Sequence, residues 1–232
     1  MKKKFVYNEM FSTNEKNIIY EKVSNSRGTI ESIGKQKYLK IYNADLTLLA
    51  ETAFYKISHF LRESHLQKLS KIIKDREASS NDKYVALTLL KNANIAAGGI
   101  LPMCQDTGTA IIIGKKGHSI ITDGQDHKSL SKGIFNCYKK NNLRYSQVAP
   151  NTMYEEKNTL DNLPAQIDIY SQGNNEYKFL FIAKGGGSAN KTLFYQATPS
   201  ILRSKNLINY LKPKIASIGT SACPPYHLAI VI

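Results

Sequence analysis

Tryptophan is absent from these 232 residues, and there are only seven prolines and three cysteines. Three is an odd number of thiols, and no secretion signal precedes them, which argues for reduced thiols at Cys104, Cys137 and Cys223 and for metal binding or catalysis over a disulfide. Long apolar runs are missing too. None approaches the roughly 18 residues that span a bilayer, and the start MKKKFVYNEMF has basic residues but no continuous apolar segment behind them. These absences exclude a membrane-spanning helix and point to a soluble, cytoplasmic protein. The five histidines, at 59, 65, 118, 127 and 227, show no HExxH or other ligand spacing, which argues against a zinc site. No GxSxG string marks a serine hydrolase.

Acidic residues are scarce, 18 against 32 Lys and Arg, for a net charge of +14. Such an excess invites a nucleic-acid reading, because clustered cations release counterions from phosphates. Here the cations are scattered from Lys2 to Lys214, beside abundant Asn and Ile, and look like a compositional drift of the whole sequence. Neither nucleic acid nor membrane is the expected partner.

Hydrophobic residues make up 42% of the chain, enough for a globular core. Leu46, Leu49, Ala50, Ala53, Phe54, Ile57, Phe60 and Leu61 recur at three and four residues, the stripe of a helix that Asn43 can cap. A second helix carries Leu66, Leu69, Ile72 and Ile73. After a turn at 78–81, a third runs through Tyr84 to Ile95 and stops at Gly98 and Gly99. Beyond Gly108 the character changes. Ala110 to Ile113 is a short buried strand closed by Gly114, and Lys128 to Tyr138 is helical with Cys137 packed in its apolar face. The β-rich runs Ala165 to Tyr170 and Tyr177 to Ala183, separated by SQGNNE, predict a hairpin that delivers its second strand into a glycine string. Leu202 to Ile218 is helical, Pro224 and Pro225 break it, and the chain stops inside the apolar run Leu228 to Ile232, so an incomplete C-terminus is expected. The predicted class is α+β, a helical first half followed by mixed strands and helices, with no repeat or linker to mark a boundary.

Two polar strings have no folding rationale, and a second cysteine follows in a third. In CQDTG, Cys104 is a soft ligand suited to zinc or an iron–sulfur centre, with Gln105 and Asp106 beside it and Gly108 to turn the backbone; it is equally an ordinary loop around a free thiol. KGGGSANKT, from Lys184, offers glycine N–H groups to an anion, then Ser188, Asn190, Lys191 and Thr192 as donors. It is neither a Walker A loop nor GxGxxG and suits a small carboxylate; the bland alternative is a surface turn. In TSACPPYH, Cys223 stands before two prolines that fix the backbone. Arg144, in NNLRYSQ, can fork onto a carboxylate, although taken alone it reads as a surface residue.

Taken together, CQDTGTAIIIGKKG, NLRYSQ, NLPAQID, KGGGSANKT, ACPPYH and the upstream NDKYVAL resemble the class I, iron–sulfur-dependent fumarate hydratases over nearly the whole chain. The resemblance implies a 4Fe–4S cluster held by three cysteines, with one iron left open for the substrate's hydroxyl and carboxylate. Cys104 and Cys223 match the first two ligands, the third is expected past the end of this chain, and Cys137 matches none. It further implies that Gln105, Asp106, Arg144, Gly187, Asn190, Lys191, Thr192 and Gln196 line a pocket for malate or fumarate, with Asp106 as an acid–base or orienting group. The implied organisation is an N-terminal, alpha-type catalytic region over residues 1–232 whose C-terminal domain lies elsewhere. The implied full-length form is a homodimer acting on a small dicarboxylate of the tricarboxylic acid cycle. Tartrate or a substituted malate is the alternative substrate, and a chain inactive without its C-terminal partner is the other.

Overall fold

A computed structural model describes residues 4–7, 18–26, 28–219 and 226–232. An antiparallel pair, β1 (Thr29–Ile33) and β2 (Gln36–Lys40), turns at Gly34. It was not anticipated from the sequence, although its alternating TIESI and QKYLK around a glycine carry the signal. Three helices follow, α1 (Asn43–His59), α2 (Glu63–Lys74) and α3 (Ser80–Ala96). The chain then forms β3 (Thr109–Gly117), β4 (Ile120–Ile121), α4 (Asp126–Lys140), β5 (Val148–Pro150) and β6 (Glu156–Asn158). It closes with β7 (Gln166–Gln172), β8 (Tyr177–Lys184), the short α5 (Gly186–Ala189) and α6 (Ser204–Ala216). The architecture is α+β as expected from the sequence.

Helix boundaries correct two local expectations. Asn43 is not the cap of α1: Tyr42 holds that position in extended conformation with no side-chain bond, and the Asn43 Oδ1 is buried without a partner. The segment 78–81 is not simply a turn. Ser79 accepts the Asp82 N–H at 3.1 Å while Asp82 accepts the Ser79 N–H at 3.0 Å, a capping box that starts α3 at Ser80.

The predicted hairpin does not exist. β3 lies between its two strands, parallel to β7 and antiparallel to β8, so the sheet order is β7-β3-β8. The reason is the apolar character of β3, whose Ile111, Ile112 and Ile113 give it two sides to cover and two edges to pair. Parallel pairing needs a crossover, and α4 lies within it. β3 also runs on past Gly114 to Gly117, because that glycine seats the Phe179 and Tyr177 rings rather than ending the strand.

The core lies between this sheet and two helices. Leu46, Ala50 and Phe54 of α1 meet Leu130, Ile134, Cys137 and Tyr138 of α4 over Ala110 and Ile112 of β3. A side chain at Gly133 would collide with the Thr47 carbonyl of α1, so the two helices approach closely. Phe181 stacks edge-on against Phe54 at 5.9 Å.

A carboxylate is buried at the far end of β3. Asp126, 7% exposed, accepts from Lys116 Nζ and from the Tyr177 hydroxyl, both at 2.9 Å, and Thr122 stands beside them. Burial alone would raise its carboxyl, but the bonds from Thr122, Lys116 and Tyr177 outweigh it and hold the group below the ordinary carboxylate range. A depressed folded value stabilises above the unfolded value and is lost as pH falls through the folded one. Asp126→Asn is therefore expected to cost roughly 1–3 kcal/mol at neutral pH. Denaturant melts from about pH 6 to about pH 3 should show that deficit shrinking. A deficit independent of pH would mean that the ionised carboxylate contributes nothing.

Candidate functional site

The antiparallel register of β3 and β8 pairs Thr109 with Lys184, so CQDTG enters the sheet where the glycine string leaves it. Gly108 makes this approach possible. Its φ is +54°, and a methyl group there would run into the Lys184 carbonyl. Across the gap, Asp106 Oδ1 accepts the Gly186 N–H at 2.8 Å and Oδ2 accepts the Gly187 N–H at 2.7 Å. Gly185 must also lack a side chain, since a Cβ would stand 2.5 Å from the Asp106 carbonyl oxygen. One carboxylate thus joins the two strings that the sequence singled out.

The loop is locked from beneath by groups that sequence reasoning missed. Thr107, buried, donates to the Arg144 carbonyl at 2.6 Å and shares a 2.7 Å bond with Ser146, whose hydroxyl oxygen accepts the Gly108 N–H at 2.9 Å. Thr109 donates to Gln147 Oε1 at 2.8 Å. Asn162 is the centre of this clamp. Fully buried at φ +58°, it accepts the Ser146 and Gln147 N–H groups, both at 2.9 Å, and donates to the Gly108 carbonyl at 3.0 Å. Three of its four possible side-chain hydrogen bonds go to backbone. The available signal was the Asn-Leu-Pro turn, since Asn tolerates positive φ better than most residues.

The chemistry-bearing side chains sit above that clamp. Cys104, Gln105 and Asp106 are exposed, and the Asp106 N–H points at the Cys104 sulfur, 3.3 Å away. Arg144 is exposed, its backbone tied to the loop through Thr107. Gly187 is joined to Asp106, and the Asn190 N–H returns to the Gly186 carbonyl at 3.2 Å. Asn190, Thr192 and Gln196 are exposed and Lys191 is half-buried along the segment that follows α5. Cys223 lies outside the described residues. Beyond it, the His227 ring stacks on His65 of α2 at 5.8 Å.

Cys137 is a different kind of thiol. It is fully buried in the core, and burial pushes its pKa up to about 11, so it stays protonated. Among the described residues no group of three or more His, Cys, Asp or Glu is arranged for a metal ion. Two clefts, of about 410 Å³ between α2 and α3 and about 470 Å³ between α1 and α4, lie away from the loops and take none of their residues.

Comparison with known proteins gives a consistent picture. A family profile described as fumarate hydratase (Fumerase) matches residues 47–232. Fumarate hydratase 1, mitochondrial, of Leishmania major is 56% identical over 199 residues, covering 86% of this chain and 36% of that protein. Fumarate hydratase class I, aerobic, of Escherichia coli strain K12 is 51% identical over 230 residues, 99% of this chain and 42% of that protein. The anaerobic class I protein of the same strain is 50% identical over the same span. The chain covers about two fifths of the length of these relatives.

The clamp generates a pair of contrasting expectations. Asn162→Ala strands two half-buried N–H groups and a carbonyl, and is expected to cost roughly 3 kcal/mol in denaturant melts. Asp106→Ala, at an exposed position, should shift the melt by less than about 0.5 kcal/mol while amide exchange at Gly186 and Gly187 rises by at least ~10-fold. Unchanged exchange at both glycines would show that the carboxylate does not hold the string.

Proposed function

The chain belongs to the fumarate hydratase (Fumerase) family, and we propose that it forms the N-terminal, alpha-type catalytic region of a class I enzyme interconverting fumarate and (S)-malate. The observation that carries this reading is an exposed Cys104 thiol in a loop that Asp106 pins to the glycine string. Fumarate is preferred to tartrate or a substituted malate because relatives named for it share about half of all residues over nearly the whole chain.

A 4Fe–4S cluster fits what is present at Cys104. The sulfur is accessible and receives an N–H, and the backbone that carries it is fixed by the Asn162 clamp. Cys104 and Cys223 would hold the group; protonated, buried Cys137 would not. When bound, such a cluster supplies a Lewis-acidic iron, which eases departure of the poor leaving group hydroxide.

The remaining roles fall to this chain's own side chains. Arg144 pairs a substrate carboxylate through its planar fork, and Gln105 orients the substrate beside Cys104. Asn190, Lys191, Thr192 and Gln196 complete the polar wall. Asp106 has both oxygens committed to backbone N–H groups, which favours the orienting role over the acid–base one. Gly187 shapes the loop by letting that carboxylate come close. Hydration adds water across the double bond, hydroxyl to C2 and a proton to C3, and the C3 proton carrier is assigned to the portion of the family's length that this chain does not span. A reducing compartment such as the cytoplasm suits an exposed thiol ligand, and the homodimer belongs to the full-length form.

The test is an anaerobic reconstitution of the full-length protein with iron and sulfide. Fumarate hydration, followed by loss of the alkene's ultraviolet absorbance, should appear and then decay in air. Cys104→Ser should remove both the visible absorbance and the activity, and Arg144→Lys should raise KM by roughly 10-fold or more. Activity that persisted in Cys104→Ser, or that ignored chelation and oxygen, would sink the mechanism. Faster turnover of tartrate would reassign the substrate.

A further inference from the structure

The segment that follows α5 has few of the means by which a loop is normally held. Among the described residues, Thr192 to Ala197 make no hydrogen bond. Leu193 and Phe194 do not anchor it by burial, being 50% and 92% exposed. The segment is tied at its start by the Asn190 N–H and at its far side by a single helical turn, Pro199–Ile201. Between these points the Tyr195 ring makes the attachment. It meets Tyr210 of α6 edge-on, centroids 6.3 Å apart, and the Lys214 ammonium stands over both rings, 3.7 Å from the Tyr195 centroid and 4.4 Å from that of Tyr210.

Two aromatic faces around one ammonium form a cage for a cation, and the sequence builds it. Tyr210 and Lys214 stand one helical turn apart on α6, hence on one face. Helical side chains lean toward the N-terminus, which brings the lysine back over the Tyr210 ring. Tyr195 supplies the second ring from outside the helix. Neither α6 nor the stretch from Asn190 to Arg203 contains an acidic residue, and among the described residues no carboxylate pairs with Lys214. The negative faces of the two rings are therefore its electrostatic partners. Other lysines among the described residues come no nearer to a ring than 5.5 Å, and Lys40 and Lys116 of that group also pair with carboxylates.

We propose that Lys214 and Tyr210 are positioning residues for the proposed dicarboxylate pocket: the caged ammonium fixes the Tyr195 ring, and with it the backbone that presents Thr192 and Gln196. Asp106 holds the glycine string where the segment begins, and α6 holds the part farther on. The inference rests on reading Asn190, Lys191, Thr192 and Gln196 as the polar wall of that pocket, and neither residue of α6 needs to touch the substrate. A wall that is not held in advance must be ordered when substrate arrives, so loss of the cage weakens binding more than turnover.

The experiment uses the reconstituted full-length protein. Lys214→Met keeps the aliphatic stem and removes the charge, whereas Lys214→Arg keeps a cation that can lie on the rings. In Lys214→Met, amide exchange across Thr192 to Gln196 should rise at least ~5-fold and KM for fumarate roughly 5-fold, with kcat and the visible absorbance unchanged. Lys214→Arg should restore both, and Tyr210→Leu, which removes a ring face, should repeat the Lys214→Met result. Exchange indifferent to Lys214→Met would overturn the cage. Raised exchange with an unaltered KM would overturn its role in the pocket, as would a joint fall in kcat and visible absorbance, which marks general damage to the site. A wild type that hydrates no fumarate would count against the fumarate reading instead, and exchange alone then decides the cage.

Discussion

The carboxylate of Asp106 is the constraint on which the site depends. Two loops 80 positions apart can be held together by many groups, but only a carboxylate offers two acceptor oxygens to two successive backbone N–H groups at once. An amide would supply one acceptor and set its NH₂ against the other donor. The glycine string is the matching half, since a side chain at Gly185 or Gly187 would occupy the space the carboxylate fills. Acid and glycines form one device written in two places, and neither half explains itself alone. Because the acid's neighbour on the N-terminal side is Gln105 and the next is Cys104, fixing Asp106 also fixes where the thiol and the amide stand.

Much of this was legible in the sequence, and the failures have a common cause. The helices announced themselves through repeats of three and four residues, and CQDTG and KGGGSANKT stood out because turn-forming and reactive residues were concentrated where no fold required them. What failed was pairing. Two β-rich runs around SQGNNE satisfy every local criterion for a hairpin, yet β3, whose residues pair with β7 residues 55 positions downstream, competes for both and wins. A local window cannot see that competition. Burial failed in the same way: Thr107, Ser146 and Asn162 look like ordinary polar loop residues until the fold encloses them, and Asn162 then becomes the most heavily committed side chain in the clamp.

The two described cysteines show how far environment decides chemistry. Cys137 rides the apolar face of α4 among Leu130, Ile134 and Tyr138, where a thiolate has no solvation. Cys104 stands in a polar, exposed loop with a backbone N–H aimed at its sulfur. Residue type is identical and the consequences are opposite. Helical periodicity separated them from sequence alone, because a thiol on a buried stripe is already accounted for by packing.

The sheet explains why the site is assembled by backbone and completed by exposed side chains. β3 and β7 run parallel and β8 opposes them, so the start of β3, the start of β7 and the end of β8 all emerge at one end. That end collects the Cys104 loop, the Asn162 turn and the glycine string without any long connection to span. The clamp beneath uses paired polar groups that are buried or half-buried, which are rigid because an unpaired alternative is costly away from water. Above it, Gln105, Arg144 and Cys104 still face solvent, where pairing with the proposed dicarboxylate is screened. Strong recognition of two carboxylates requires that water be driven off these groups after they have been positioned. The fold performs the first task by itself, through the Asp106 bridge and the Asn162 clamp.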